Sequence, residues 1–320
     1  MPIHYERLDF KPPTDILPDM QVLGVDIGGT EIKAGLVSRD GVLLKNTRLA
    51  TPDSIAGFAE AMRIVWQQLG ASDIDGIGIG CKGIIHPVTT RVEVLPGTLR
   101  YLEGHVLRGF FPAASSVAAD NDARAALAGE LAWGAAKGRQ DAIMLTLGTG
   151  VGGGVLSGGR IVRGAGGVAG HLGHYTLDPM GPLCICGNHG CLETYFSARA
   201  IESEAEALIH RGAVDWPAAP TCEQVFRRAG EGDEAARWIV DRAIRQLGAA
   251  LAGLVHALDP EVVILGGQIA SAGESLTLPL EKDIERRTRV LLRRGVPVVR
   301  SALSAGSGAL GAAALAFEAR

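Results

Sequence analysis

Short apolar runs alternate along the chain with longer stretches of helical spacing, and this alternation predicts a mixed α/β protein. Apolar runs that end in turn residues predict strands at 21–28, 31–38, 42–49, 74–80, 117–119, 142–147 and 261–265. Helical periodicity predicts helices at 54–69, 123–136, about 197–211, 233–258 and 309–320. Because strand hairpins alternate with strand–helix units, we expect α/β lobes.

The order of these elements divides the chain into three predicted parts. Residues 1–20 carry charges and prolines without a periodic pattern and predict an irregular N-terminal arm. Residues 21–135 predict a smaller α/β lobe, and residues 136–305 predict a larger one. The C-terminal helix, 306–320, is expected to cross back and pack on the smaller lobe.

Composition narrows the class of protein without naming a function. A formal net charge of −4 argues against binding nucleic acid by neutralising phosphates. No apolar stretch approaches the roughly 20 residues of a membrane span, and the N-terminus lacks the apolar core of a signal peptide, so we expect a cytoplasmic protein. Glycine is about twice as frequent as usual, with 44 in 320 residues, and its clusters would let the backbone approach a ligand closely.

The first glycine cluster follows an acidic strand end. Amide groups at Gly28 and Gly29, the hydroxyl of Thr30 and the charge of Lys33 could bind phosphate oxygens. Asp26 could reach a phosphate-bound metal through water. The same residues would also suit a plain hairpin turn, because glycine turns are common.

Two more glycine turns follow predicted strands in the second half of the chain. One contains Gly148, Thr149 and Gly150, and the other contains Gly266 and Gly267. A phosphate-binding turn in each lobe would clamp a polyphosphate, as phosphoryl transfer requires. The last turn could pack against a nucleotide base or ribose. Neither turn matches a Walker loop or a GxGxxG dinucleotide motif.

Three polar residues, Asp120-Asn121-Asp122, lie at a predicted strand-to-helix junction. One such residue is enough to cap a helix, and capping is one interpretation. The other is that Asp122 is a general base that accepts the proton of an attacking hydroxyl, with Asn121 holding neighbouring sugar hydroxyls.

The most specific signal is a cluster of cysteines behind a histidine. His174, Cys184, Cys186 and Cys191 supply the four ligands of a closed tetrahedral zinc site, which is typical of structural rather than catalytic zinc. His189 is a rival ligand, but it is confined between two of the cysteines. Reduced cysteines in a core are the alternative, and the polar, glycine-rich surroundings disfavour it.

Together these motifs resemble the ROK family (repressors, open reading frames, kinases) over almost the whole chain from about residue 21. The matching blocks are DIGGTEIK at 26–33, NDARAALAGE at 121–130, LGTGVGGG at 147–154, GHLGH at 170–174, CICGNHGCLE at 184–193 and VVILGGQI at 262–269. The resemblance implies the two-lobed fold of actin-like ATPases and ribonuclease H-like sugar kinases. It also implies Mg-ATP, closure over a sugar substrate and a homodimer.

The resemblance assigns residue roles. It makes Asp122 the catalytic base, Asn121 a sugar contact, and His174 and Glu193 residues that face the sugar. The residues implied to bind ATP phosphates are Gly28, Gly29, Thr30, Lys33, Gly148, Thr149 and Gly150. The implied zinc ligands are His174, Cys184, Cys186 and Cys191.

Three positions depart from the family pattern. His171 occupies the place of an acidic residue that bonds sugar hydroxyls, and Lys82 occupies the place of a proline before Gly83. Thr98-Leu99 falls where Asn-Leu is customary. An imidazole in place of an acceptor-only carboxylate changes which hydroxyl or amino pattern fits, and Lys82 adds positive charge near the sugar.

These departures leave the identity of the phosphoryl acceptor open. It is either a hexose or hexosamine, such as glucose or N-acetylmannosamine, phosphorylated at O6, or a less usual sugar, a cyclitol or an anionic sugar. A sugar-sensing regulator would need a DNA-binding domain before the first glycine turn, and residues 1–25 show no helix-turn-helix pattern. A binding protein without catalysis is disfavoured by Asp122 and Lys33, although His171 keeps it open.

Overall fold

The computed structural model describes residues 20–69, 74–111, 116–303 and 307–318, so the predicted N-terminal arm, apart from Met20, lies outside the described residues. The strands are β1 (Gln21–Ile27), β2 (Glu31–Ser38), β3 (Leu43–Ala50), β4 (Gly76–Cys81), β5 (Ile84–Ile85), β6 (Val92–Val94), β7 (Val117–Asn121), β8 (Ala142–Leu147), β9 (Val151–Ser157), β10 (Arg160–Ile161), β11 (Val262–Gly266) and β12 (Val298–Arg300). The α-helices are α1 (Ile55–Leu69), α2 (Asp122–Trp133), α3 (Ala198–His210), α4 (Cys222–Glu231), α5 (Glu234–Leu258), α6 (Glu274–Thr288) and α7 (Ser307–Glu318).

The chain divides into two compact units, of which the first contains the described residues within 20–139, 159–170 and 302–318. Its sheet has the strand order β3-β2-β1-β4-β7. The first three form an antiparallel meander, whereas β1, β4 and β7 run parallel to one another. The carboxyl ends of these three parallel strands therefore meet at one edge of the sheet.

Side chains of β1 alternate between the two faces of this sheet, as the period of a strand requires. Leu23 and Val25 pack with Phe58 of α1 in the larger core of the unit. Val22 points the other way and packs with Ala313 of α7. Helices thus cover both faces, and the C-terminal helix belongs to the first unit.

Helix α7 lies unusually close to the sheet because glycines face it. A side chain at Gly24 would overlap the carbonyl oxygen of Ala309, and one at Gly78 would overlap that of Ala312. Both positions therefore require glycine, which explains part of the glycine excess by packing rather than by ligand binding.

The second unit contains residues 140–158 and 171–301. Its sheet includes β9, β8, β11 and β12 in that order, with β9 antiparallel to β8 and the other three strands parallel. Helix α5 covers the sheet with the apolar stripe that its spacing predicts. The buried members of that stripe include Ile239, Ala243, Leu247, Leu251 and Leu254.

The α/β class is confirmed, but the sequence pattern missed several elements. Strand β9, helix α4 and helix α6 were not predicted, and the glycine-rich stretch after β8 is a short turn followed by a strand rather than a continuous loop. Residues 159–170, assigned to the larger lobe from the sequence, lie in the first unit. Among the described helices, none is both long and apolar enough to cross a bilayer.

Candidate functional site

Several predicted site residues lie at the carboxyl edge of the first sheet. Asp26 is the last residue but one of β1, Lys82 directly follows β4, and Asn121 ends β7. In the parallel register Asp26 lies beside Gly80, and Gly80 lies beside Asp120. Ligands of open α/β sheets bind at this edge, so the fold brings three separately predicted motifs to one place.

Asn121 and Asp122 form the N-terminus of α2. The Asn121 Oδ1 accepts hydrogen bonds from the backbone N–H groups of Ala123 at 3.0 Å and Arg124 at 3.4 Å, so it caps the helix. Its Nδ2 donates to the carbonyl oxygen of Gly83 at 3.0 Å, which joins the turn after β4 to the helix. Asp122 is exposed in the first turn, where its carboxylate can meet a ligand hydroxyl.

Asp26 is a mostly buried carboxyl group close to a second one. Burial raises the pKa of Asp26 to about 7, and the negative charge of Asp122 adds to the rise, while Lys33 acts to lower it. Helix α7 begins against this group, because a side chain at Gly308 would overlap the Asp26 carboxylate. A cation bound nearby would favour the ionised form of Asp26.

The turn between β1 and β2 is closed by a hydrogen bond from the Gly28 N–H to the Glu31 carbonyl oxygen at 3.1 Å. A Cβ at Gly28 would lie 2.7 Å from that oxygen, so the turn requires glycine there. The Thr51 hydroxyl donates to the Gly28 carbonyl at 2.8 Å and supports the turn from β3. Gly29 and Thr30 are exposed, and their amide and hydroxyl groups are therefore available to a phosphate.

Lys33, the predicted cation of this turn, lies on β2 opposite Asp26. Its Nζ is 3.9 Å from a carboxylate oxygen of Glu31, and its side chain is 42% exposed. The charge of Lys33 is therefore shared between the turn and two neighbouring carboxylates.

A buried charge network, which the sequence pattern did not predict, supports the start of α2. Arg124 is 1% exposed and donates from Nε to Asp120 at 2.6 Å and from Nη1 to the Ala169 carbonyl at 2.8 Å. Asp120 also accepts from Arg163 Nε at 2.7 Å, and Arg163 reaches Glu318 of α7 at 3.0 Å. Burial acts to lower the pKa of Arg163, but these two carboxylates raise it well above its usual range.

Lys82 and Thr98, two positions of the first unit that depart from the family pattern, contact each other in the structure. The Lys82 Nζ donates to the Thr98 hydroxyl at 2.6 Å and to the Pro96 carbonyl at 3.2 Å. Gly83 has φ +84, and a side chain there would overlap β6. This part of the edge is therefore built from two turns that contact each other.

In the second unit, Gly148, Thr149 and Gly150 form the turn between β8 and β9. The Gly148 N–H donates to the Gly150 carbonyl at 3.0 Å, and Thr149 is exposed. Glu193 accepts a hydrogen bond from the Val151 N–H at 2.9 Å and leaves no room for a side chain at Gly150. Glu193, predicted to face a sugar, thus also fixes this turn.

The third glycine turn lies at the same edge of the second sheet. Gly266 pairs with Thr146 in the parallel register of β11 and β8. Gly267 has φ +82, and a side chain there would overlap the backbone of Leu147. The turns after β8 and β11 are therefore neighbours, as the sequence interpretation of a nucleotide site needs.

The four predicted metal ligands come together. The ring nitrogen of His174 and the sulfur atoms of Cys184, Cys186 and Cys191 all lie within 4.8 Å of one another. His174 Nδ1 lies 3.5 Å from Cys184 Sγ, and Cys186 Sγ lies 3.6 Å from Cys191 Sγ. A tetrahedral zinc with bonds of about 2.0–2.3 Å places its ligands roughly 3.3–3.8 Å apart, so the set fits that ion.

His189, the rival ligand, points elsewhere, because its Nδ1 donates to the Gly181 carbonyl at 3.0 Å. This difference provides a matched pair of variants. We expect elemental analysis to find about one zinc per chain, and His174→Ala to reduce zinc occupancy and lower the midpoint of thermal unfolding by several degrees. His189→Ala should leave both unchanged. A zinc-free chain with the thermal midpoint of the zinc-loaded one would contradict the assignment.

His171 lies beside this cluster. Its ring is stacked near that of His174, with centroids 6.5 Å apart and an angle of 17° between the planes. Gly173 sits so close to the Val151 carbonyl that a side chain there would overlap it. The candidate metal ligands, His171 and the turn after β8 therefore form one compact region of the second unit.

Comparison with known proteins decides the family. The ROK family model matches residues 22–319. The chain belongs to the ROK family. It is 34% identical to a glucokinase of Thermotoga maritima over 320 residues, which covers 94% of this chain and 99% of the relative. It is also 34% identical to an N-acetylmannosamine kinase of Escherichia coli, covering 81% of this chain and 87% of the relative.

Solved structures agree with the sequence relatives. A ROK family glucokinase from Streptomyces griseus, crystallised with glucose and AMPPNP, matches with a TM-score of 0.78 and 33% identity. That match covers 92% of this chain and 99% of the other. The predicted ROK sugar kinase, its actin-like fold and its class of ATP-dependent carbohydrate kinase are thereby confirmed.

Proposed function

We propose that this ROK protein transfers the γ-phosphoryl group of ATP to O6 of a hexose or hexosamine, such as glucose or N-acetylmannosamine. The observation that carries the proposal is the exposed carboxylate of Asp122 at the N-terminus of α2. It lies at the same sheet edge as Asp26 and the glycine turn after β1. A base beside a phosphate-binding turn suits transfer to a hydroxyl, because positioning and charge stabilisation supply most of that catalysis.

In the proposed reaction, the acceptor oxygen forms a bond to the γ-phosphorus while the bond from that phosphorus to the ADP oxygen breaks. The acceptor proton passes to the carboxylate of Asp122. Magnesium bound with ATP would neutralise phosphate charge, and Asp26 offers the type of oxygen ligand that magnesium prefers. The proposed phosphate contacts are Gly28, Gly29, Thr30, Lys33, Gly148, Thr149 and Gly150, and the proposed nucleoside contacts are Gly266 and Gly267.

The remaining assignments concern the acceptor. We assign sugar contacts to Asn121, Lys82, Gly83, His171, His174 and Glu193. Asn121 already caps α2 and bonds Gly83, and Glu193 already bonds the turn after β8, so both would hold the sugar from fixed positions. Structural zinc on His174 would order the neighbouring His171 and leave no open metal position for chemistry.

The family relatives make glucose and N-acetylmannosamine the first acceptors to test. His171 and Lys82, which depart from the family pattern, support a second candidate function, a kinase for a less usual sugar or a cyclitol. The intact Asp122 and glycine turns argue against a catalytically silent sugar-binding protein. The proposal also includes a homodimer and a cytoplasmic location, which rest on family membership alone.

The test is ADP release from Mg-ATP by the purified protein across a panel of hexoses, hexosamines and cyclitols. We expect release with at least one of them, and the position of the new phosphate can be read by NMR. Release with a hexose or hexosamine supports the first function, whereas release with a cyclitol alone supports the second. No release with any acceptor in the panel would refute both.

A further inference from the structure

Lys82 has its ammonium group close to the glycine turn after β1. The Nζ donates a hydrogen bond to the Thr98 hydroxyl at 2.6 Å, and a Cβ built on Gly29 would lie 3.0 Å from that same hydroxyl oxygen. The ammonium therefore lies within about 6 Å of that built Cβ position, the sum of these two distances. An ammonium group at this distance can reach an oxygen atom of a phosphate bound on the turn.

The loop that carries Thr98 is held in a strained conformation. Leu99 has φ +68, a region that a residue with a branched side chain rarely adopts, and its side chain is buried. The loop is fixed from both sides, since the Leu102 N–H donates to the Leu99 carbonyl at 2.9 Å and the Tyr101 hydroxyl donates to the Pro52 carbonyl at 2.6 Å. Strain that the surrounding structure maintains in this way is concentrated at functional sites.

The negative charges at this edge leave a role for a second cation such as Lys82. Asp26, Asp122 and Glu31 place three carboxylates around the turn. Burial is the main cause of the raised pKa of Asp26, and the negative charges of Asp122 and Glu31 add to the rise. Lys33 offsets part of that charge but is bound 3.9 Å from Glu31. A phosphoryl group brings further negative charge to the same edge, and a second fixed cation would offset it.

We propose that Lys82, oriented by Thr98, binds the phosphoryl group while it is transferred. This inference rests on the proposed function, and it replaces the sugar contact proposed there for Lys82 with a contact to the phosphoryl group. As the bond from the γ-phosphorus to ADP breaks and the bond to the acceptor oxygen forms, charge spreads over the three equatorial oxygens, and the ammonium stabilises that charge. Lys82 takes no proton in this step, because the acceptor proton passes to Asp122.

The test compares Lys82→Met and Lys82→Arg with the unaltered protein in steady-state assays. We expect Lys82→Met to lower kcat by about 10²-fold or more while the KM of the sugar changes by less than about threefold. Lys82→Arg should retain part of the activity, because it keeps a cation. Thr98→Val, which removes the hydroxyl, should lower kcat, whereas Thr98→Ser, which keeps it, should retain the kcat of the unaltered protein. Lys137→Met, which alters an exposed lysine after α2, is the matched control and should behave as the unaltered protein.

The outcomes separate this inference from the proposed function. An unaltered protein without activity on any acceptor refutes the proposed function and with it the role of Lys82. An active protein whose Lys82→Met variant keeps its kcat refutes only the role of Lys82. A loss confined to acceptors that carry a carboxylate and keep a 6-hydroxyl, such as gluconate compared with glucose, would assign Lys82 to the acceptor and also overturn the inference. Unfolding midpoints of the variants report folding, and if Lys82→Met does not fold, Lys82→Arg and Thr98→Val decide.

Discussion

Asp122→Asn is expected to lower kcat by about 10²- to 10⁴-fold while the protein still binds its sugar. The amide cannot accept the proton that the acceptor hydroxyl must lose. The fold should not change, because the Asp122 Oδ1 accepts a hydrogen bond from the Ala123 N–H at 2.9 Å and the amide oxygen of asparagine can accept the same bond. Asn121 continues to cap the helix in the variant.

The measurement pairs steady-state turnover with sugar binding by calorimetry or intrinsic fluorescence. Asp40→Asn is the matched control, since Asp40 is an exposed carboxylate in the turn between β2 and β3 and should leave both quantities unchanged. Turnover that survives in Asp122→Asn would show that another group accepts the proton. Lost sugar binding together with lost turnover would show that Asp122 holds the acceptor rather than activating it.

Much of the fold follows from local patterns. The β2 strand and the β8 strand occupy the predicted residues, and α5 buries the predicted stripe, because each has a clear period and a polar or glycine boundary. The failures have physical causes. In β9, glycines at 152–154 hide a strand that pairs with β8, and in α6 Pro279 and dense charge obscure the helical pattern. Helix α4 carries a capping box at Thr221 and Gln224, a readable signal that the sequence interpretation missed.

The site shows the same division between local and distant information. The candidate metal ligands fall within a short, distinctive motif, so their spacing alone predicts the cluster of His174, Cys184, Cys186 and Cys191 side chains that the structure contains. Thr98 was singled out only as a departure from the family, and its contact with Lys82 depends on how two loops fold. The bond between Arg163 and Glu318 joins residues separated by 155 positions, which no local pattern could reveal.

The charge network behind the site leads to the largest stability effect that we expect. Asp120→Ala would leave Arg124 buried, 1% exposed, without the carboxylate that accepts its Nε–H at 2.6 Å. Removing one partner of a buried pair costs about 3–5 kcal/mol, because the remaining charge stays out of water. The same carboxylate accepts from the Asn121 N–H at 2.7 Å, so its loss should also disturb the start of α2.

The measurement is the free energy of unfolding in urea. It compares the loss of the buried pair with the loss of an exposed pair that has the same sequence spacing. Arg227 and Glu231 of α4 are also four positions apart, but both side chains are more than half exposed, so Glu231→Ala should cost less than about 1 kcal/mol. Adding Arg124→Met to Asp120→Ala should recover part of the loss, because the buried charge is then gone. If Asp120→Ala costs no more than Glu231→Ala, the buried network does not stabilise α2. If it does cost more, the start of α2, where the proposed base Asp122 lies, is stabilised by the network of Asp120, Arg124, Arg163 and Glu318 as well as by its helix cap.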